Sequence, residues 1–174
     1  LSNIRHCTRP SARVGALELI SHLSWGWLSD DSRLDRVLPI LVAMIDDTSA
    51  LVRTRVVQTL VTVLVCITRV SAGNAGLVQE YLVPHMGRLA DDTAPSVRCM
   101  YAGVLRDLAA NALRLLLLEQ VWHADARSFD TSVIHLQSFV EEQVTALLAD
   151  EDGAVQRAML DNFEQVAVFL GRHV

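Results

Sequence analysis

Apolar residues recur at three- and four-residue steps along almost the whole chain, the period of helices that bury one face. From Ser11 the series is Val14, Leu17, Ile20, Leu23 and then Trp27/Leu28. After "SDDS", which offers Asp31 or Ser32 as an N-cap, it resumes at Leu34, Val37, Leu38, Leu41 and Ile45. A third series runs Val52, Val56, Leu60, Val63, Ile67, Val70, with no charge between Arg55 and Arg69. A helix apolar nearly all round must be covered on several sides, so this one belongs in the middle of a stack. "SAGNAG" (71–76) is a turn cluster that stops it. Further series run through Leu82, Met86 and Leu89; through Val97, Tyr101, Val104, Leu108, Ala112 and Leu115; through Val133, Leu136, Val140, Val144 and Leu147; and through Val155, Met159, Phe163, Val166 and Phe169. Between them "EQVWHADARSFDTS" (119–132) breaks the pattern with mixed charge, which predicts an exposed inter-helix loop. The sum is about seven helices and no convincing strand.

The helices repeat. "RVLPILVAMIDDTSALVR" (36–53) aligns without gaps on "YLVPHMGRLADDTAPSVR" (81–98), pairing Pro39 with Pro84, Asp46/Asp47 with Asp91/Asp92, and Arg53 with Arg98. A weaker third copy, "TALLADEDGAVQR" (145–157), pairs Asp150 with the acidic turn and Arg157 with the arginine, although Val155 fits a register one residue shorter. The interval between acidic turns is 45 residues and then 59, and the extra length falls on 119–132. A period near 45, built as helix–turn–helix, marks stacked HEAT repeats. The fold class predicted is therefore all-α: a HEAT/armadillo-like α-solenoid of about seven helices, with residues 1–174 as a single domain. Each pair hides its apolar faces only by stacking on its neighbours.

Composition narrows the chemistry. Hydrophobic residues make up 51% and aromatics only 5%, a mix that favours helix on helix. A net charge of −5 argues against a nucleic-acid partner. All 15 basic residues are Arg, which excludes a Schiff-base lysine and the phosphate-gripping lysine of a P-loop or kinase. Cys7, Cys66 and Cys99 are few, odd in number and far apart, as expected in a reducing compartment. The most apolar run, "LVTVLVCI" (60–67), is too short to span a bilayer. The chain opens on Leu1, and we expect it to be a piece of a larger protein.

Paired aspartates can hold a metal, share a proton or end a helix. Catalysis and metal binding need several ligands converging from different elements. Here each pair sits alone in a turn, with an arginine six or seven residues on. The reading we adopt is structural: Asp46, Asp47, Asp91, Asp92 and Asp150 form joints, a carboxylate caps the following helix, and Arg53, Arg98 and Arg157 bond a neighbouring turn's acid to make a ladder. The rival is a metal-dependent enzyme using the Asp pairs. The six histidines form no HExxH motif, and neither GK[ST] nor GxSxG occurs, so no catalytic residue, cofactor or metal ligand is assigned. Trp25 and Trp27 in "SWGW" are either an anchor for a partner or a surface packed on a neighbouring repeat.

Three stretches carry a more specific likeness: "ARVGALELISHLSWGWLSDD" onward through "VLVCITRV" (12–70), "EYLVPHMGRLADDTAPSVRCMYAGVLRDLAANALRLL" (80–116) and the closing "AMLDNFEQVAVFLGRHV" (158–174). They resemble the middle helical region of the protein-kinase-like regulatory subunit of the class III phosphatidylinositol 3-kinase. Phe169, Leu170, Gly171 and Arg172 match that family's "FFGR"-like phrase with one change. The resemblance implies a non-catalytic solenoid segment of a parent that carries a serine/threonine kinase-like domain and a WD-repeat propeller outside it. It also implies protein partners, namely the lipid-kinase catalytic subunit with Beclin-like and accessory subunits. The expected location is cytoplasmic, peripheral on endosomal, vacuolar and autophagic membranes, with membrane association only through the parent complex. The alternative is an unrelated HEAT adaptor, such as a phosphatase scaffold or transport receptor.

Overall fold

A computed structural model describes residue 4, residues 7–122 and residues 126–171. Among the described residues there are seven helices and no strand. Helix α1 is Pro10–Ser24, with proline at its first turn, where the missing N–H costs nothing. Helix α2 runs on through Asp30–Ser32, Arg33–Val37 and Leu38–Met44. Its N-cap is Ser29, whose hydroxyl accepts from the Ser32 N–H at 3.2 Å, so the cap lies ahead of the expected Asp31 or Ser32. Helix α3 is Ala50–Val65, and α4 comprises Leu77–Leu82, Val83–Met86 and Gly87–Leu89. Helix α5 is Pro95–Glu119, extended by a single 3₁₀ turn, Gln120–Trp122; α6 is Ala126–Leu148 and α7 is Gly153–Gly171.

The two aligned prolines leave the same mark on α2 and α4. Ahead of Pro39 the Leu38 N–H reaches back five residues to the Arg33 carbonyl, and ahead of Pro84 the Val83 N–H reaches Val78. A proline ring would collide with the carbonyl four residues earlier, and the widened π turns over Arg33–Val37 and Leu77–Leu82 relieve that contact.

Helices α1, α3, α5 and α7 stack side by side as one layer, while α2, α4 and α6 pack against that layer from the other side. This two-layer order is that of an α-solenoid. Helix α3 lies between α1 and α5 and accordingly buries residues on several faces: Val52, Val56, Val57, Leu60, Val63 and Leu64. The core continues through Leu105, Leu108, Ala112, Leu115 and Leu116 of α5 into Val155, Met159 and Val166 of α7. Among the described residues no helix is long and apolar enough to cross a membrane.

Three sequence expectations need correction. The third apolar series does not stay helical to Val70: α3 ends at Val65, and the Cys66 N–H turns back to the carbonyls of Val63 and Leu64. Ile67 and Val70 are nonetheless buried, because the segment after α3 lies along α5. The expected loop 119–132 is mostly helix, since Glu119 closes α5, Gln120–Trp122 forms a turn and α6 has begun by Ala126. Of the charged residues there that the structure describes, Asp130 is exposed on α6 and Glu119 is buried at the end of α5, so charge in that stretch does not mark a loop. "SAGNAG" is a turn but not the expected stop, since α3 has already ended at Val65; Ala72–Asn74 forms a 3₁₀ turn and Gly76 leads into α4. Gly76 adopts φ +88°, and a Cβ there would sit 3.1 Å from the Glu80 carboxyl carbon, so glycine is required.

Candidate functional site

The acidic turns and the arginines meet at one end of the stacked layer, where helices α1, α3, α5 and α7 begin. In each of the first three, the fourth helical residue is an arginine: Arg13, Arg53 and Arg98. Its guanidinium bridges two directions. Backwards, Nη1 donates to the carbonyl six residues earlier: Cys7 at 2.5 Å, Asp47 at 2.7 Å and Asp92 at 2.7 Å. Across the stack it grips the acid of the next turn. Arg53 donates from Nε and Nη2 to Asp92 at 2.7 Å each, and Arg98 does the same to Asp150 at 2.6 and 2.9 Å. Arg13 donates from Nη2 to Asp47 at 2.9 Å, while its Nε lies 2.8 Å from the other oxygen without the alignment of a hydrogen bond. Two parallel N–H···O contacts match a planar guanidinium to a carboxylate, which lysine could not do. The arginine composition therefore has a structural use here.

Each carboxylate also organises its own turn. Asp47, Asp92 and Asp150 accept from the N–H two residues on, at Ser49, Ala94 and Asp152, each at 2.8 Å. These are Asx-type turns placed two residues ahead of the N-cap, not N-caps as expected; Ser49 and Ala94 hold the cap positions without a side-chain bond. The two aspartates of a pair differ in use. Asp47 and Asp92 are the rungs, whereas Asp46 forms an exposed ion pair with Arg88, and Asp91 is exposed. Burial pushes Asp92 up, but the hydrogen bonds from Arg53 and the Ala94 N–H outweigh it and hold the carboxyl below the usual range. For Asp150 the Arg98 hydrogen bond dominates and lowers it. Arg53 and Arg98 are raised by the same contacts.

The third copy follows the shorter register. Gln156, not Arg157, is the fourth residue of α7, and its Nε2 donates to the Asp150 carbonyl at 2.8 Å. Arg157 is exposed and makes no rung. The charged ladder thus stops at α7 on a neutral side chain that keeps the backward bond alone. At the other end Cys7 fills the position that Asp47 and Asp92 hold in later copies. Arg13 was missed in the sequence although a signal existed: "TRPSAR" (8–13) shares four of its six residues with "TAPSVR" (93–98).

The opposite end of the layer carries contacts that no repeat pattern announced. Arg33 donates to the Ser24 carbonyl at the end of α1 at 2.5 Å, and to Asp30 at 2.7 Å. Asp30 in turn accepts from the Thr68 hydroxyl at 2.8 Å and from the Arg69 N–H at 3.0 Å. Arg114 of α5 reaches the carbonyls of Leu64, at 2.5 Å, and Ile67, satisfying the end of α3, and Trp122 Nε1 donates to the Val70 carbonyl at 2.9 Å. Glu119, fully buried, accepts from the Gly76 N–H at 3.1 Å. Burial drives its carboxyl up to about 7, against the pull of the Gly76 and Val78 N–H groups.

Trp25 and Trp27 lie away from the ladder, at the corner between α1 and α2, and are 70% and 84% exposed. Among the described residues no three His, Cys, Asp or Glu side chains gather as a metal-binding group. The ladder is flanked by three shallow clefts of about 220–260 Å³, lined by the rung residues themselves.

Comparison with known proteins supplies the context for this frame. A family model described as "PIK3R4-like, middle domain" matches residues 1–174. The serine/threonine-protein kinase vps15 of Schizosaccharomyces pombe is 32% identical over 190 residues, covering 99% of this chain and 11% of that protein. The Arabidopsis thaliana serine/threonine-protein kinase VPS15 is 35% identical over 116 residues, covering 67% of this chain and 8% of that protein. The Saccharomyces cerevisiae protein of the same name is 26% identical over 183 residues, 98% of this chain and 12% of its own length. The chain thus spans about a tenth of the length of these curated relatives.

Proposed function

The chain belongs to the PIK3R4-like family, whose middle domain it is, and from that premise we propose that it is a non-catalytic helical scaffold within a class III phosphatidylinositol 3-kinase regulatory subunit. The relatives are named serine/threonine-protein kinases, and this segment matches 11–12% of their length; on the reading proposed, the kinase activity of such a parent lies outside the segment. The segment's own task is to hold a fixed distance and angle between the parts of the parent on its two sides. It thereby supports assembly of the lipid-kinase catalytic subunit with Beclin-like and accessory subunits in the cytoplasm, on endosomal, vacuolar and autophagic membranes. The family match sets aside the unrelated phosphatase scaffold and transport receptor.

The observation that carries this reading is the ladder. Three rungs, Arg13–Asp47, Arg53–Asp92 and Arg98–Asp150, join each repeat to the next with side chains about one-tenth exposed. Such links turn a row of stacked helices into a rod with a set pitch. Asp47, Asp92 and Asp150 are thereby committed to arginine, which leaves little for the metal-dependent alternative. The test places Val56→Asp, Leu60→Asp or Val63→Asp in the whole parent chain, at positions 0–1% exposed. A charge there has no partner and unfolds the stack. Co-purification with the catalytic lipid kinase should then be lost. Full assembly with an unchanged melting profile would overturn the proposal.

A further inference from the structure

The two ends of the stacked layer are fastened differently. Ion pairs close the end where the helices begin, and each rung carboxylate has a guanidinium against it. At the other end the last turn of α5 lies on the connection between α3 and α4, held there by Trp122 and Glu119. Trp122 Nε1 donates to the Val70 carbonyl, and Glu119 Oε2 accepts from the Gly76 N–H at 3.1 Å. Glu119 is fully buried, and its second oxygen, Oε1, is shut off from solvent with no donor to meet it. An anion in that setting lacks both water and a counter-charge, so the surroundings favour the neutral acid.

The neighbouring charge has the wrong sign to help. Glu80 of α4 folds its carboxyl back over Gly76, where a Cβ would come within 3.1 Å of the carboxyl carbon, so two acids flank one glycine. Burial is the main cause that brings the Glu119 carboxyl up to about 7, and repulsion by Glu80 adds to it. Among the described residues no cation offsets them. Arg114, on the same helix, is taken up by the carbonyls of Leu64 and Ile67, and Arg69, after α3, is exposed. Asp35 of α2 accepts from Asn74 Nδ2 at 3.1 Å, while Asp130 and His135 of α6 are exposed.

We propose that Glu119 is a proton-controlled latch: as the neutral acid it holds the end of α5 on the α3–α4 connection, and as the anion it lets that end lift into water. The rungs stay shut meanwhile, because their carboxylates are already ionised and paired. The layer thus has one fixed end and one that pH adjusts. This goes beyond the scaffold reading and does not depend on it, since the latch is internal to the segment.

The size of the effect follows from linkage. Closed, Glu119 gives up its proton near pH 7; lifted into water, it does so near its ordinary 4.5. Between those values each opening sheds one proton, so the open fraction grows up to about tenfold per pH unit and levels off above about pH 7. From pH 5.5 to 7.5 the rise is about twentyfold.

Hydrogen exchange on the full parent chain, resolved to single residues by fragmentation in the mass spectrometer, tests the latch. The Gly76 and Val78 N–H groups both point at Glu119. After correction for the intrinsic pH dependence of exchange, their protection should fall about twentyfold from pH 5.5 to 7.5. The Val52 and Val97 N–H groups, which bond the Ser49 and Ala94 carbonyls beside the rungs, should keep theirs. Glu119→Gln retains an acceptor for Gly76 with no proton to release, so its protection should stay flat with pH. Glu80→Gln, at an exposed position, should make the fall smaller and complete it at a lower pH. Constant protection in the wild-type chain, a wild-type fall in Glu119→Gln, or an equal fall at Val52 and Val97 would overturn the proposal. If Glu119→Gln does not fold, Glu80→Gln decides, and an unchanged profile there overturns it.

Discussion

The rung between Arg53 and Asp92 gives the sharpest test of how the repeats are tied. Asp92→Asn keeps the size of the side chain and one oxygen able to accept from the Ala94 N–H. It removes the charge and sets an amide N–H₂ against a guanidinium N–H where two bonds of 2.7 Å had been. The guanidinium keeps its bond to the Asp47 carbonyl but loses its counter-charge. Breaking a buried ion pair from one side costs about 3–5 kcal/mol. Arg53 and Asp92 retain 12% and 8% exposure, so water screens part of the stranded charge and we place the loss at about 3 kcal/mol.

The protein itself supplies the second arm of the cycle. Gln156 shows that glutamine at the arginine position keeps the backward bond with no charge. Arg53→Gln alone should cost about 3 kcal/mol because it strands the Asp92 carboxylate. The double variant Arg53→Gln/Asp92→Asn should cost little more than either single change, a coupling of about 2–3 kcal/mol. Equilibrium urea unfolding of residues 1–174 at pH 7 measures all four proteins, with the slope required to stay constant. Repeating the series in 1 M salt should change the coupling little, since a buried pair is poorly screened. A loss below about 1 kcal/mol for Asp92→Asn, or single losses that simply add, would refute the reasoning that the rungs join the stack.

Acid should release the same rungs. Asp92 and Asp150 are held below their unfolded value, so their stabilisation is complete above about pH 4 and is lost as pH falls through the lower folded values; acid unfolding of Asp92→Asn should show a shallower slope there. Glu119 has the opposite sign. Its folded value of about 7 lies above the unfolded 4.5, so its contribution is present below pH 4.5 and is lost as pH rises through 7. Urea midpoints should fall between pH 5 and 8, and Glu119→Gln should flatten that fall; an unchanged slope would contradict the assignment. Arg114→Met should destabilise by about 2 kcal/mol, because the carbonyls of Leu64 and Ile67 lose their donor, and hydrogen exchange should rise first in the last turn of α3.

What the sequence revealed divides by physical cause. Helical periodicity is a property of each local stretch, so the helices could be read from their apolar series, and the central place of α3 from Val52, Val56, Leu60 and Val63 with no charge between Arg55 and Arg69. The joints were legible because "DDTSALVR" and "DDTAPSVR" must meet the same geometry twice. Where the third copy degenerates, identity misled: Arg157 preserves the residue type, but Gln156 holds the position. Register is set by backbone geometry, through the sixth residue before the side chain, and Val155 carried that information while the arginine did not. The partners at the far end, Arg114, Glu119, Asp30 and Trp122, occur once each in different elements, and single contacts leave no period to detect.

The segment 119–132 was misread for a related reason. In a stack whose beginnings are pinned by rungs, added residues lengthen a helical hairpin at its free end. Such a hairpin needs an apolar stripe on its inner side only. Polar residues are admitted elsewhere, as with exposed Asp130 and the buried, hydrogen-bonded Glu119, so the helical period weakens to the eye. A loop of that length would have left its backbone N–H and C=O groups to water, whereas continued helix satisfies them internally. The price of order is small for residues that extend an existing helix, because nucleation has already been met by the core turns of α5 and α6. An insertion next to a long helix in a repeat protein therefore favours more helix, and Val121 within it stays 80% exposed because an added turn outside the core face has no partner to bury against among the described residues.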